Sequence, residues 1–451
     1  MRHIVSRWPA IKCCAVALAL SALLAAHAAA RVRPHFGGEI RVETSDSEAP
    51  AFIQSLVAET LTNIDARGEL TPGLATTWQS QNGDRRWIFH LRSAARLRGV
   101  DYDAPLTSAV AANSLRLGLA KAGLAGRVHG AGDELAVEFD APMPHFAYLV
   151  ADASYGISTA DEHGTLVGTG AYMIQSVAPP RIVLTVNPDY AGGRHYPETI
   201  SVLCARSPEQ QSMDLAARRA DLIEVPPEQM RRAQQERARL TRIAPSELVA
   251  LVARRPLDPR LRQSFRDSID RTALLNVIFQ KQGEPAGSLL PQWMTGYASL
   301  LAPVRDPAHA RQLRNEVAGH AAITIGYDAH DTSLQLVAER LALNARETGW
   351  TVQAVARASD VDWQLVRIPF SSANPAASLA QVYAALHQNL DLPNASLESL
   401  FQAERRVVAD DSAIPLLHLN RAWSASERLR DWGAATAALP LPAETWVETK
   451  P

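Results

Sequence analysis

The stretch "LVGTGAYMIQS", Leu166 to Ser176, decides how this chain is read. Two glycines flank a threonine, and β-prone residues follow. A phosphate loop of the Walker type needs G-x-x-x-x-G-K-[ST] between a strand and a helix. A dinucleotide loop needs G-x-G-x-x-G opening a helix. Gly168-Thr169-Gly170 has neither a following lysine nor a third glycine. A strand containing Tyr172, Ile174 and Val177 comes next, with no helix N-terminus to hold an anion. The segment is therefore read as a turn whose glycines supply permissive backbone angles.

Outward from this turn, the chain has 451 residues, of which 47% are hydrophobic and 20% charged. That is enough apolar material for two or three cored domains. A net charge of -2 offers no basic field, which argues against a nucleic-acid partner. Arg2, His3, Arg7 and Lys12 precede an apolar run from Cys13 to Ala26, followed by Ala26-His27-Ala28 and Ala28-Ala29-Ala30. Charge, a short apolar core and small residues in that order read as a cleaved signal peptide over 1–30. The run is short for the alternative, a membrane anchor. Removing it leaves Cys204 alone, so no internal disulfide forms, and Cys204 after "ISVL" reads as a buried strand residue.

Hydrophobic periodicity places strands at "GGEIRVET" (37–44), "RRWIFHLR" (85–92) and "DELAVEFDAP" (133–142). It places helices at "FIQSLVAETLTNID" (52–65) and "TSAVAANSLRLGLAKAG" (107–123), the latter capped by Thr107 or Ser108. "AYMIQSV" and "RIVLTVN" read as a hairpin. "DPRLRQSFRDSIDRTALLNVIFQ" (258–280) reads as one long helix with Asp258 at its start and Pro259 in its first turn. Strand and helix then alternate to the end, with a second helical stretch at 378–389, which argues an α/β class.

Chemical motifs are missing. There is no G-x-S-x-G elbow and no H-E-x-x-H pair. Thirteen histidines are scattered, and lone residues such as His90 and His418 have no ligand spacing to a second donor. No catalytic residue, metal site or cofactor is expected, and the chain reads as a binding protein rather than an enzyme.

The segments taken together resemble the family 5 extracellular solute-binding proteins, the dipeptide, oligopeptide and nickel receptors of ABC importers. The resemblance rests first on Pro72, Leu74, Ala75 and Trp78, then Trp87, Phe89, Leu91 and Arg92. It continues through "LTSAV" (106–110), "VGTGAYMI", "VNPDYAGGRHYPETISV", the Ile-Asp-Arg segment inside 258–280 and "AIPLLHLN". It implies an α/β, two-lobed periplasmic binding protein fold, type II, of the three-domain, cluster C-like kind with a discontinuous lobe I. Lobe I would comprise 31–50, 166–247 and 422–451, an inserted domain II 51–165, and lobe III 248–421. The implied function is capture of a small or peptide-like solute in the periplasm, by hinge closure between lobes I and III, for an ABC permease and its ATPase. A monomer is expected.

In peptide-binding members, a lobe III segment carries a tryptophan and an aspartate that pairs with the peptide ammonium. Aligned on Asp362 and Pro375, "DWQLVRIPFSSANPAASL" puts Ile368 at the tryptophan and Ser371 at the aspartate. An enclosed ammonium without a charge partner is costly, so the usual peptide anchor is missing unless the register differs or Asp360 or Asp362 substitutes. The candidate ligand-binding residues are Arg367, Ile368, Phe370, Ser371 and Asn374. Arg367 is read either as a cleft residue favouring an anionic group or as a surface residue. "TSDSEAP" and the segment 292–323 are short, which leaves open a second reading: a degenerate receptor with a sensing or assembly role.

Overall fold

The computed structural model describes residues 33–451 except 47–49, 66–68, 123, 141, 144–145, 243–246, 318–321, 358, 371–374, 389, 391, 393–395, 434–440 and 449–451. The signal-peptide reading of 1–30 and the candidates Ser371 and Asn374 therefore lie outside the described residues.

A seven-stranded sheet gathers segments from across the chain. Its order is Tyr172–Ala178, Arg181–Val186, Thr199–Leu203, Glu39–Glu43, Leu222–Val225, Ala422–Ala425, Arg239–Arg242. Glu39–Glu43 pairs in parallel with both its neighbours, which requires crossovers. The helices Pro208–Ala216 and Pro227–Gln235 follow the strands Thr199–Leu203 and Leu222–Val225. The "AYMIQSV"/"RIVLTVN" hairpin is antiparallel as read. Ile40, Val42, Leu184 and Val202 fill one core, with Cys204 buried among them.

A six-stranded sheet has the order Gly283–Pro285, Ala413–Leu419, Glu247–Ala253, Trp363–Pro369, Ile323–Gly326, Val352–Val355. Its central strand is buried on both faces. Val249 and Leu251 pack into one core with Phe265 and Trp363, while Leu248, Ala250 and Val252 pack into another with Leu379 and Leu400. That is why "ELVALVA" is a continuous apolar run rather than an alternating one. A separate antiparallel sheet, Ala75–Gln81, Arg86–Leu91, Glu134–Phe139 and Gly126–Ala131, packs with the helix Ser108–Lys121. Thr107 caps that helix, accepting from the Val110 N–H at 3.3 Å.

Two helix readings change. The apolar pattern of 52–65 is helix only over Pro50–Val57, then strand at Thr62–Ile64. The 258–280 stretch is two helices, Pro259–Ser268 and Arg271–Val277. Ile269 is extended between them, and Asp270 caps the second by accepting from the Ala273 N–H at 2.8 Å. An interior aspartate that can cap outcompetes continuous helical periodicity.

The glycine turn is corrected in its cause. Neither Gly168 nor Gly170 has a positive φ. What they lack is space: a Cβ at Gly168 would sit 2.2 Å from the Val57 carbonyl oxygen, and one at Gly170 2.4 Å from that of Leu56. The turn docks backbone to backbone on the C-terminus of the helix Pro50–Val57. There the Gly170 N–H donates to the Val57 carbonyl at 2.8 Å, satisfying a helix-end acceptor. The Asn187 side chain closes the turn by donating to the Gly170 carbonyl at 2.9 Å.

Candidate functional site

The strand Trp363–Pro369 sends alternate residues to opposite faces. Trp363 and Leu365 enter the core that contains the helix Thr332–Arg346, whereas Ile368 joins the opposite core together with Phe370. Arg367 shares the face of Trp363 and Leu365 and lies where that apolar layer ends.

Three carboxylates converge on it, each placed by a different element. The register sets Val249 opposite Arg367 and Glu247 opposite Pro369, so Glu247 is a diagonal neighbour on the same face. Glu247 grips the guanidinium through both oxygens, at Nε and, at 3.2 Å, at Nη2. Asp331 caps the helix Thr332–Arg346 with one oxygen, accepting from the Ser333 and Leu334 N–H groups at 2.9 and 3.0 Å. Its other oxygen is 3.5 Å from Arg367 Nη1. Glu228 comes from the first turn of Pro227–Gln235, beside the seven-stranded sheet, and accepts from Nη1 at 2.8 Å. Only 19% of the Arg367 side chain is exposed. Burial pulls its pKa down, but Glu247, Glu228 and Asp331 outweigh burial and raise it above the ordinary arginine value.

A cavity of about 810 Å³ runs along this strand. Glu247, Asp328, Asp331 and Asp360 face Arg254 and Arg367 around it, so its formal charge is acidic. The backbone N–H of His330 holds the Asp328 carboxyl below the usual range. Pairing with the neighbouring strand Ile323–Gly326 ends at Gln364, and among the described residues no other strand takes that edge beyond it.

The candidates read from sequence fare differently. Arg367 is neither a free anion anchor nor a surface residue: four of its five N–H donors meet carboxylates. Ile368 and Phe370 are core residues, 7% and 3% exposed, and do not line the cavity. The period of the strand turns them away from Arg367. Asp362 is occupied by Thr324, accepting from its N–H and its hydroxyl at 2.8 Å each. Asp360 remains at the cavity, ion-paired with Arg255. Glu228, Glu247 and Asp331 escaped sequence reading. Asp331 carried a local signal, a cap before "TSLQLV", but nothing local joins residues 139 and 120 positions from Arg367.

Among the described residues, no group of three or more His, Cys, Asp or Glu side chains could hold a metal, and no helix is long and apolar enough to cross a membrane. His418 is buried, with Nε2 3.2 Å from the Leu289 carbonyl.

The fold has many solved counterparts. The chain superposes on NikA from Staphylococcus aureus, solved with Ni(L-His)2, with a TM-score of 0.75 at 16% identity, covering 91% of this chain and 100% of that one. DppA from Helicobacter pylori, solved with the peptide STSA, gives 0.76 at 14% identity over 92% and 99% of the two chains. Haemophilus influenzae OppA, solved with RPPGFSPFR, gives 0.72 at 14% identity over 92% and 100%. At these identities the likeness shows the fold, a type II periplasmic binding protein architecture. In sequence, a Haemophilus influenzae chain named only as a binding protein is 27% identical over 154 residues, 29% of this chain and 30% of that one. The match thus spans less than a third of that relative. The model of the bacterial extracellular solute-binding proteins, family 5 (middle region), matches residues 69–367. Two-thirds of the chain falls within that match, and this protein belongs to the family 5 extracellular solute-binding proteins, which bind substrates for ABC transporters and are not enzymes.

Proposed function

We propose that this chain is the exported receptor of an ABC importer, with residues 1–30 as its leader and a permease–ATPase pair as its partner. It captures one small solute by hinge closure between a lobe built on the seven-stranded sheet and a lobe built on the six-stranded sheet. The division into lobe I (31–50, 166–247, 422–451), domain II (51–165) and lobe III (248–421) is part of this reading. It is supported by the way each sheet collects strands from its own set of segments. The chain crosses between the sheets after Arg242 and again at Asn420–Arg421, and paired crossovers of this kind suit a hinge.

The observation that carries the solute class is the acidic cavity beside Arg367. With its arginine already matched by carboxylates, that wall disfavours an anionic group and favours a cationic one. A peptide-like solute with an ammonium group, or a cationic metal–amino acid complex, fits this chemistry. The first kind is represented among the solved counterparts, in DppA with its peptide. The open edge of Leu365–Pro369 adds main-chain donors and acceptors for an extended solute.

Native mass spectrometry of the protein purified from the extracytoplasmic fraction tests this. One bound solute per monomer, carrying a cationic group, is the expected result. The second reading, a receptor fold with a sensing or assembly role, draws on the burial of Ile368 and Phe370 and the carboxylate pairing of Arg367. It prevails if no solute is carried and no peptide, histidine–nickel complex or cationic amino acid raises the melting temperature.

A further inference from the structure

The Arg367 node joins four elements, and one of them belongs to the other sheet. Glu247, Asp331 and Arg367 itself sit on the six-stranded sheet and its helix, whereas Glu228 opens the helix that follows Leu222–Val225 of the seven-stranded sheet. The node lies beside both crossovers. Glu247 is the first residue after one of them and pairs with Leu419, the last strand residue before the other. A side chain here feels any change in the angle between the sheets.

The four charges are not equivalent. Glu247 binds the guanidinium through two oxygens and is the more buried, with 8% of its side chain exposed. Glu228 has 23% exposed and a single 2.8 Å contact. With Glu247 and Asp331 already facing the guanidinium, removing Glu228 leaves the cation matched by carboxylates of its own sheet and that sheet's helix cap. The Glu228 contact can therefore open without stranding a buried charge, the condition that makes a buried pair costly to break. A pair that is partly hydrated, spans two bodies and is backed by a spare carboxylate is suited to make and break.

We propose that Glu228 is a positioning residue whose ion pair with Arg367 is a reversible clasp between the two sheets, setting the balance between the narrow and wide arrangements of the cleft. This rests on the hinge reading above. Screening by salt weakens the clasp.

Pulsed electron spin resonance on the mature chain tests it. Labels go on cysteines introduced at the exposed positions Met213 and Leu343, one in each body, with Cys204 buried. For the parent, a narrow distance at low salt should give way to a wider population at high salt. Glu228→Gln should show about a threefold or larger rise in that wider population at low salt, and no further response to salt. Glu228→Asp, which keeps the charge on a shorter arm, should restore the salt response. The melting temperature should stay near the parent's, which separates the clasp from a folding defect. A Glu228→Gln variant whose distances match the parent's at every salt overturns the clasp while leaving the hinge reading standing. A distance that neither salt, variant nor added solute moves overturns both.

Discussion

Arg271 and Arg367 are both buried arginines in the six-stranded half of the molecule, and they solve the same problem in opposite ways. Arg271, 5% exposed, donates from Nε to the Pro415 carbonyl at 2.8 Å and from Nη1 to the Val304 carbonyl at 3.3 Å. No carboxylate touches it among the described residues. Burial dominates, and its pKa is pushed down to about 10. Arg367 is met by three carboxylates, and its pKa is pushed up. Fixed carbonyl dipoles satisfy the hydrogen bonds of a buried cation without repaying its lost hydration, whereas full opposite charges do repay it.

Glu404 is the anionic counterpart of Arg271. Fully buried on the helix Leu397–Ala409, it accepts from the Leu289 and Leu290 N–H groups on Oε1, while Oε2 has no hydrogen-bond partner. Burial outweighs those two donors and raises its pKa to about 7. Charges held by backbone drift toward neutrality; a charge held by charges is driven away from it. The first kind ties chain segments together inside one body. The second kind reaches the other sheet.

The largest effect is expected at Arg271. Arg271→Ala leaves two carbonyls unmatched and a void, and should cost about 3–4 kcal/mol in urea unfolding. The loss should be nearly the same at pH 5 and pH 8, because no carboxylate is released; a strong pH dependence would mean that the two arginines do not differ in kind. Next in size, Arg367→Met should cost about 2–3 kcal/mol at pH 8, since it strands three partly buried carboxylates. That loss should shrink as added salt screens the stranded carboxylates. A loss that stays flat with salt would show that Arg367, too, is held mainly by packing.

Glu404 sharpens the contrast. Its folded pKa of about 7 exceeds the ordinary glutamate value of 4.5. The stability it contributes is therefore full below pH 4.5 and lost as the pH rises through 7. Glu404→Gln should flatten the fall in unfolding free energy between pH 5 and 8, leaving the variant more stable than the parent at pH 8 by about 1–2 kcal/mol. A slope unchanged by the substitution would place that titration elsewhere, with Glu43, also raised to about 7, as the next residue to replace. The smallest effect belongs to Asp360→Asn. This carboxylate pairs with Arg255 at the exposed rim, so thermal melting should register less than about 0.5 kcal/mol. A larger loss would show that charge pairing matters here irrespective of burial.

The local elements were largely legible. A cap at Thr107 or Ser108, the hairpin after the glycine turn and the burial of Cys204 all followed from composition and period, because each depends on neighbours within a few residues. The break at Ile269–Asp270 was legible only in part: "SIDR" carries the capping aspartate, but the apolar spacing on either side masked it. Arg367 was singled out in sequence, yet its partners were not. Neither was the burial of Ile368 and Phe370, which depends on which face of the strand meets which helix.

By itself, the sequence determined many of the strands and helices, since hydrophobic period, caps and turn residues are written along the chain, and its motifs carried the resemblance that pointed to the family and to the segment with Arg367. Two things were decided only by the tertiary structure. One is why Gly168 and Gly170 are glycines: the backbone of the helix Pro50–Val57 lies where their side chains would be. The other is the charge state and partners of Arg367, set when Glu228, Glu247 and Asp331 are brought together from three separate elements. Electrostatic energy depends on distance through space and on exclusion of water, and neither is encoded by position in the chain.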